Sequence, residues 1–447
     1  MELAIVGGLA ATSIYYRFTI NYRKKRKVIK KWEELMGELN LHSKKSNFIP
    51  QVMNVKFIDN GYILDIHMPT GLSPKDIEVN KETIENKFKG IVTIEKIRFS
   101  SLVKVKVINK DIGKFIFKPV KAYPNQLYIG KTFDGEDYFI DITKACHILI
   151  GGATGTGKSF LLSSILTNLI YNSSNSIEIH LLQIMKGEIG LFEKCNPVKF
   201  VGKNLKEVAY DLNKLAKLVD ERSRKFTELG VKNLNHYNKH YKSKMKRIYC
   251  ITEEISFFMP EDSDAEEDKK LKNKCWSAIL TIAKAGRSSG IHLLSLTQRS
   301  TTTNLPSDVK SQLCRITFRQ ISSIDSRNII ECDGATQLEE RECLCYGTSK
   351  AMEVIKTPWI DEDFKVLHEY VPEIIIPGVK NEVNLLNKKP IDCSNGVAKE
   401  LPLYMPKKEV KATEKSEIAT TKVIKKKIRK GMIEDWLLIE IKKYLNG

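Results

Sequence analysis

The stretch HILIGGATGTGKSFLLSSIL, residues 147–166, decides the fold of this chain. Its apolar start predicts a buried strand, and the apolar run after Ser159 predicts a helix. Between them the sequence fits G-x-x-x-x-G-K-[ST] at every fixed position, in the strand–loop–helix context that a phosphate-binding loop requires. The glycines let successive backbone N–H groups point at phosphate oxygens, and the positive end of the helix adds to that attraction. We therefore predict a site for a nucleoside triphosphate.

The predicted nucleotide contacts form one continuous segment: Gly152, Ala153, Thr154, Gly155, Thr156, Gly157, Lys158, Ser159 and Phe160. Lys158 is expected to reach the β- and γ-phosphates, and the Ser159 hydroxyl is expected to hold Mg²⁺. ATP and Mg²⁺ are therefore the expected cofactors. The alternative is a chance match in a glycine-rich turn, against which the correctly placed strand and helix argue.

Two acids, Glu253 and Glu254, follow the apolar strand IYCIT at residues 248–252. A phosphate-binding loop that hydrolyses its nucleotide needs an acid at the end of a buried strand to hold the metal's water shell and polarise the attacking water. We assign Glu253 to the metal's water shell and Glu254 to general-base or water-orienting work. Aspartate is the usual first acid, so Glu253 departs from the pattern by one methylene. Two exposed glutamates at a strand end are the alternative.

A further apolar strand, IHLLSLT at residues 291–297, ends in Gln298 and Arg299. If this strand lies beside the strand of the phosphate-binding loop, it can aim Gln298 at the γ-phosphate or its attacking water. A polar residue that merely ends a strand is the alternative reading.

The pattern of the whole chain predicts an α/β fold, because apolar strands alternate with helical stretches from about residue 140 to residue 371. A helix is expected over residues 28–39 and another over residues 73–87, the second between two strand-rich segments. The acidic run at 261–268 is expected to be a loop or a helix start. The predicted organisation is a membrane anchor at 1–22, a basic juxtamembrane helix at 23–44, a small α/β module at 45–139, a nucleotide-binding motor at 140–375, and a polar basic tail with a short helix at 376–447.

The N-terminus is apolar from residue 3 to residue 20, and the basic run at 23–27 follows directly. A cleavable signal peptide carries its charge before the apolar run, so this order predicts a single transmembrane anchor. The positive-inside rule then places the motor on the cytoplasmic side of the cell membrane. The span is short and contains Arg17, so a buried or interfacial helix is the alternative.

The composition favours a polyanionic partner, since 73 basic residues exceed 54 acidic residues by 19. A lysine-rich solvated surface explains the same excess. The nine cysteines are scattered without a CxxC pair, which indicates reduced thiols rather than a disulfide framework or a zinc site.

Ordered motifs across residues 45–347 resemble the FtsK/SpoIIIE family of DNA-translocating ATPases. The segments that carry the resemblance are the entry to the phosphate-binding loop, VDERSRKFTELGVKNLNHYN at 219–238, GRSSGIHLLSLTQRS at 286–300, and RITFRQISSIDSRNIIECDGATQL at 315–338. The resemblance implies a RecA-like core that assembles into a ring, usually a homo-hexamer, around DNA. It also implies that a neighbouring subunit supplies an arginine to the nucleotide, for which Arg327 and Arg315 are the leading candidates and Arg287 follows. Each arginine could instead form a structural ion pair.

The plan of one short anchor, one small module and one motor is similar to the FtsK-type coupling proteins of conjugative elements in Gram-positive bacteria. The resemblance thus implies an ATPase that drives DNA transfer, touches DNA mainly through its phosphates, and meets a relaxase and conjugation-channel proteins. The alternatives are a chromosome-segregation translocase, an FtsK-like ATPase that drives protein secretion, and a tethered nucleotide-binding scaffold with little turnover.

Overall fold

The computed structural model describes residues 21–44, 46–182, 188–298, 307–348, 352 and 354–377. All of them belong to one compact unit, which ends at Glu382. The predicted anchor at 1–22 lies outside the described residues except for its last two positions. The predicted tail at 376–447, with its short helix, lies outside them except for its first two positions. None of the described helices is both long enough and apolar enough to cross a lipid bilayer.

The N-terminal module is a four-stranded antiparallel sheet with helices on one side. Its strands follow the order β1-β2-β4-β3. Helix α1 covers residues 21–38, and the remaining elements are β1 (Gln51–Ile58), β2 (Gly61–His67), α2 (Pro74–Glu78), α3 (Lys81–Phe88), β3 (Ile91–Lys96) and β4 (Leu102–Ile108). The inner faces of all four strands meet the helices in a single apolar core.

Helix α1 is part of this module, which differs from the separate juxtamembrane helix predicted at 23–44. Trp32, Leu35 and Met36 recur at helical spacing and are fully buried in the module's core. The indole N–H of Trp32 donates a hydrogen bond of 2.8 Å to the Pro50 carbonyl, which ties α1 to the start of the sheet. The basic residues at 23–27 are helical and belong to this same helix.

The single helix predicted over residues 73–87 is two helices, so that prediction is wrong in detail. Helix α2 ends at Glu78, and α3 begins at Lys81 after the cap residue Asn80. The Asn80 amide donates to the Asp76 carbonyl at 2.9 Å, and its backbone leaves the helical region. Asparagine is unfavourable inside a helix because its side chain forms hydrogen bonds with nearby backbone groups, and here it separates α2 from α3.

The second sheet has ten strands in the order β6-β5-β14-β13-β12-β7-β11-β10-β8-β9. The run from β12 to β9 is parallel, and the strands from β13 to β6 pair antiparallel at the other edge. The strands are β5 (Gln126–Thr132), β6 (Asp137–Asp141), β7 (His147–Gly151), β8 (Ile177–Leu182), β9 (Val198–Gly202), β10 (Arg247–Thr252), β11 (Ile291–Thr297), β12 (Leu313–Thr317), β13 (Glu342–Tyr346) and β14 (Val354–Lys356).

The boundary between the N-terminal module and the motor lies earlier in the chain than predicted. The predicted boundary at 139/140 falls inside β6, which pairs with β5 in the ten-stranded sheet. Both strands therefore belong to the motor, and the connection to the module is the segment from 109 to 125. The sequence pattern of β5 and β6 is that of any half-buried hairpin, so only the pairing of β5 with β14 assigns them.

Helices cover both faces of the sheet, as expected for parallel strands joined by crossovers. They are α4 (Lys158–Ser173), α5 (Leu205–Glu228), α6 (Leu234–His240), α7 (Glu266–Ser289), α8 (Ser307–Lys310), α9 (Ser323–Ile330) and α10 (Lys365–Tyr370). Alternate residues of β7 enter different cores: Ile148 and Ile150 join α4, while Leu149 joins α5 and α7. The acidic run at 261–268 leads into the first turn of α7, which confirms its prediction as a helix start.

Candidate nucleotide-binding site

The phosphate-binding loop links β7 to α4, as its motif requires. Gly152, Gly155 and Gly157 have φ values of 151°, 78° and 112°, a region that other residues rarely enter. A Cβ atom on Gly152 would lie 2.8 Å from the Cβ of Phe318, so glycine is also required there by close packing. Hydrogen bonds from Phe318 N to Gly151 O (2.9 Å) and from Ala153 N to Arg319 O (3.1 Å) fix the loop to the end of β12.

Lys158 is folded onto the loop that it belongs to. Its ammonium donates to the carbonyls of Gly152 (2.7 Å) and Ala153 (2.8 Å), and the residue is 9% exposed. The Thr156 hydroxyl donates to the same Ala153 carbonyl at 2.7 Å. The positive charge is thus held at the centre of the glycine cradle, where a triphosphate would meet it.

The carboxyl ends of β7, β11 and β10 lie side by side, because these strands are parallel neighbours. This confirms the predicted adjacency of the Gln298 strand and the loop strand. Glu253 follows β10, Gln298 follows β11, and both come to the sheet edge from which the phosphate-binding loop departs. The backbone N–H of Ile189 donates to Glu253 Oε1 at 2.8 Å and so orients that carboxylate.

These residues fit ATP and Mg²⁺. The loop glycines hold the positive φ values that a backbone cradle for phosphate needs, and Lys158 supplies the charge. Ser159 and Glu253 offer hydroxyl and carboxylate oxygens, the donors that Mg²⁺ prefers. These two residues would hold the metal, which would screen the charge of the phosphate oxygens.

Glu254 makes contacts that the sequence did not predict. Its Oε1 accepts from the Ser256 hydroxyl at 2.7 Å, and its Oε2 accepts from the Gln298 backbone N–H at 2.9 Å. The carboxylate thus caps the 3₁₀ turn Ile255–Phe258 and ties the end of β10 to the end of β11. Both oxygens are occupied by donors within the chain, which favours a positioning role for Glu254 over the predicted general base.

The candidate arginines occupy different environments. Arg315 is buried on β12, where it pairs with Glu331 at 2.8 Å and lies 4.4 Å from the centre of the Tyr346 ring. This arrangement is the structural ion pair that was the alternative at this position. Arg327 on α9 is exposed and pairs with Asp333 through two hydrogen bonds of 2.6 and 2.9 Å. Its exposure leaves it accessible to a second subunit.

Arg287, the third candidate, is also exposed, and its Nε donates a hydrogen bond of 2.9 Å to the Thr143 carbonyl. It lies at the end of α7, just before the turn into β11.

Arg341 and Phe318 contact the loop but carry no sequence signal that singles them out. Phe318 is fully buried beneath Gly152. The Arg341 guanidinium lies 4.0 Å from the centre of the Phe160 ring, and its Cδ would be 3.2 Å from a Cβ on Gly157. Phe318 follows β12 and Arg341 precedes β13, so only the pairing of β7 with β12 and of β12 with β13 brings them to the loop.

One cluster outside this site, Cys146, His147 and His292, has the spacing of a metal centre. Its histidines are already committed: His147 Nδ1 accepts from the Leu293 N–H at 3.0 Å, and His292 Nε2 accepts from Arg247. His292 Nδ1 donates to the Cys146 carbonyl at 2.7 Å. Burial lowers the pKa of His147 to about 4, so this histidine is neutral at neutral pH. The positive charge beside the cluster is that of Arg247. The cluster is a hydrogen-bonded core network and does not fit a metal.

A phosphate-binding loop at the carboxyl edge of a parallel sheet, with an acid and a polar residue on the two next strands, defines a P-loop ATPase. Residues 119–302 match the model of the FtsK/SpoIIIE family. The DNA translocase FtsK of Caldanaerobacter subterraneus is 27% identical over 266 residues, which are 57% of this chain and 36% of that protein. The corresponding protein of Lactiplantibacillus plantarum is 25% identical over 61% of this chain and 36% of its own length.

The chain spans about a third of the length of these curated relatives. A solved structure with a similar fold is the ATPγS-bound monomer of the pCW3 conjugation coupling protein TcpA. The two are 19% identical, with a TM-score of 0.55, and the match covers 77% of this chain and 99% of that one. At this identity the likeness shows the fold alone.

Proposed function

We propose that this chain is an ATP-driven DNA translocase that serves as a membrane-anchored coupling protein in conjugative transfer. The observation that carries the proposal is the architecture. One module and one P-loop motor form a single unit that matches a conjugation coupling protein over 99% of that protein's chain. The curated relatives of the motor are DNA translocases by name, which supports DNA as the cargo.

Each residue of the site has a separate role in ATP hydrolysis. Lys158 leaves the carbonyls of Gly152 and Ala153 when phosphate oxygens replace them, and its charge then stabilises the β- and γ-phosphates. Glu253, oriented by the Ile189 N–H, lies at the end of β10 to polarise the attacking water. Glu254 holds the backbone of Gln298, so the Gln298 side chain is set at the γ-phosphate end of the site.

The ring is the second part of the proposal. A P-loop site of this kind needs a cation to stabilise charge on the transferred phosphoryl group, and an arginine from a neighbouring subunit supplies it in a ring. Arg327 is our choice for this role because it is exposed and Arg315 is buried in an ion pair. A homo-hexamer with DNA in its pore would contact phosphates through lysine and arginine, so binding would weaken steeply with salt.

Steady-state ATPase measurements test the cargo. We expect double- or single-stranded DNA to raise the turnover of the purified chain and the Lys158→Ala variant to show no turnover. An unchanged rate with DNA, together with stimulation by a secreted peptide, would replace the DNA pump with a protein-export ATPase. The absence of turnover under every condition would indicate a nucleotide-binding scaffold.

Membrane attachment through residues 1–22 is a separate part of the proposal, supported by the apolar run and the basic residues after it. Fractionation of cells expressing the full chain or a variant that begins at residue 21 tests it. This start point keeps Trp32 and the rest of α1, which the module's core requires. A full chain that stays in the soluble fraction would refute the anchor. Co-purification with a relaxase and channel proteins would support the conjugative setting over chromosome segregation.

A further inference from the structure

Arg341 is a cation built into the wall of the nucleotide site. It stands at the start of β13, next to the loop glycine Gly157, and its guanidinium stacks on the ring of Phe160. Phe160 in turn packs against Phe364, with 5.8 Å between the ring centres. The three side chains form a stack along the first turn of α4. An arginine on an aromatic face is held in place there, because the ring attracts the cation and restricts its motion.

This cation has no ion-pair partner among the described residues. Its Nη1 is buried without a hydrogen-bond partner, and no described carboxylate forms an ion pair with it. Burial lowers the pKa of Arg341, and the charge of Glu340 only partly opposes that effect. A buried guanidinium nitrogen without an acceptor is costly, so the retention of Arg341 needs another explanation.

The backbone of Arg341 adds to that cost. Its φ is +65°, which is a left-handed conformation. This conformation is unfavourable for residues that carry a Cβ, so surrounding contacts must hold Arg341 in it. Two hydrogen bonds impose it here: the backbone N–H and the hydroxyl of Thr357 both donate to the Arg341 carbonyl, at 2.8 and 3.0 Å. A glycine would satisfy the backbone without strain, so the side chain itself is the useful part of this residue.

We propose that Arg341 binds the α- and β-phosphates of the nucleotide held by its own subunit. The loop backbone cradles those same phosphates, and Gly157 and Phe160 mark the point where the loop becomes α4. The phosphates supply the missing acceptors for the guanidinium, which can form two parallel hydrogen bonds to them. Arg341 is therefore a nucleotide-binding residue that acts within one subunit, unlike Arg327, which would act across the ring interface.

This proposal rests on the ATP site described above, and binding measurements separate the two. We would measure the affinity of the purified full chain for ATPγS and ADP by calorimetry at 10 °C, with Arg341→Gln, Arg341→Lys, Lys158→Ala and the surface control Arg98→Gln. We expect Arg341→Gln to weaken both ligands at least tenfold and Arg341→Lys to weaken them less. Arg98→Gln should bind as the wild type does. The melting temperature without ligand should be unchanged or higher in Arg341→Gln, because a buried cation without an acceptor is removed.

Two results would overturn the proposal. The first is wild-type binding that Lys158→Ala abolishes and Arg341→Gln changes less than twofold. The second is a loss confined to ATPγS, which would place the guanidinium at the γ-phosphate. A wild-type chain that binds neither ligand would instead refute the ATP site itself.

Discussion

Substitutions of Glu254 can distinguish two roles for this residue. It acts either as a tether that links the end of β10 to the end of β11 or as the general base. The Glu254 carboxylate accepts one hydrogen bond from Ser256 and one from the Gln298 backbone, at 2.7 and 2.9 Å. Hydrogen bonds to a charged acceptor contribute about 1.5–3 kcal/mol each when buried. Glu254 is half-buried, so we take about 2 kcal/mol for the pair. If all of that free energy is lost from the transition state, turnover falls roughly 30-fold.

The two variants to compare are Glu254→Ala and Glu254→Gln. Alanine removes both hydrogen bonds, so we expect turnover to fall by about 30-fold and the melting temperature to drop. Glutamine keeps a carbonyl oxygen that can accept from Gln298, so we expect it to retain turnover within about fivefold of the wild type, or about 1 kcal/mol. A general base, by contrast, contributes about 10²- to 10⁴-fold, and glutamine cannot act as one.

The assay is DNA-stimulated ATP hydrolysis at saturating ATP, followed by thermal melting of each variant. Glu253→Gln is the positive control, with an expected loss of at least about 100-fold, and the exposed Glu228→Gln is the neutral control. If Glu254→Gln is as slow as Glu254→Ala while both melt like the wild type, the tether is refuted and Glu254 is the base.

Three further predictions concern the module, a buried histidine and the proposed ring interface. Trp32→Ala should lower the free energy of unfolding by about 3–5 kcal/mol in urea titrations, because it empties a fully buried site, whereas the exposed Tyr22→Ala should change little. Burial lowers the pKa of His180, but hydrogen bonds to Asp211 (2.7 Å) and Glu178 (3.1 Å) outweigh it and raise the pKa overall. The stability contributed by the charged His180 is therefore complete below pH 6.5 and is lost as the pH rises through the raised pKa. The urea midpoint of unfolding should decrease over that pH range. In Asp211→Asn the midpoint should depend less on pH. Arg327→Ala should slow ring turnover by at least about 10³-fold without changing ATPγS affinity, and mixing with Lys158→Ala subunits should restore activity in trans, whereas Arg315→Ala should chiefly lower the melting temperature. Failure of the mixed rings to recover would exclude Arg327 as the residue supplied by a neighbour.

The local features of the site follow from sequence because they depend on contiguous residues. The loop from Gly152 to Ser159 needs its glycines for backbone angles that other residues avoid, so the motif alone places a strand before it and a helix after it. The strand ends at Glu253 and Gln298 were also predictable, because parallel strands bring their carboxyl ends to one edge. Apolar runs also predicted the strands at 147–150, 248–252 and 291–297, which are β7, β10 and β11.

Other features depend on contacts between segments far apart in sequence, and no local signal encodes them. Helix α1 belongs to the module because Trp32 packs into the module's apolar core. Strand β5 belongs to the motor because it pairs with β14. Arg315 and Arg327 look alike in the sequence, yet Arg315 lies on the buried strand β12 and pairs with Glu331, whereas Arg327 is exposed and pairs with Asp333.

The P-loop and the parallel sheet follow from the order of the residues alone, since short-range backbone geometry and periodicity suffice for both. The link that Glu254 makes between two strands and the approach of Arg341 to Gly157 exist only in the folded chain. Such contacts depend on strand order, which is set by the packing of the whole sheet.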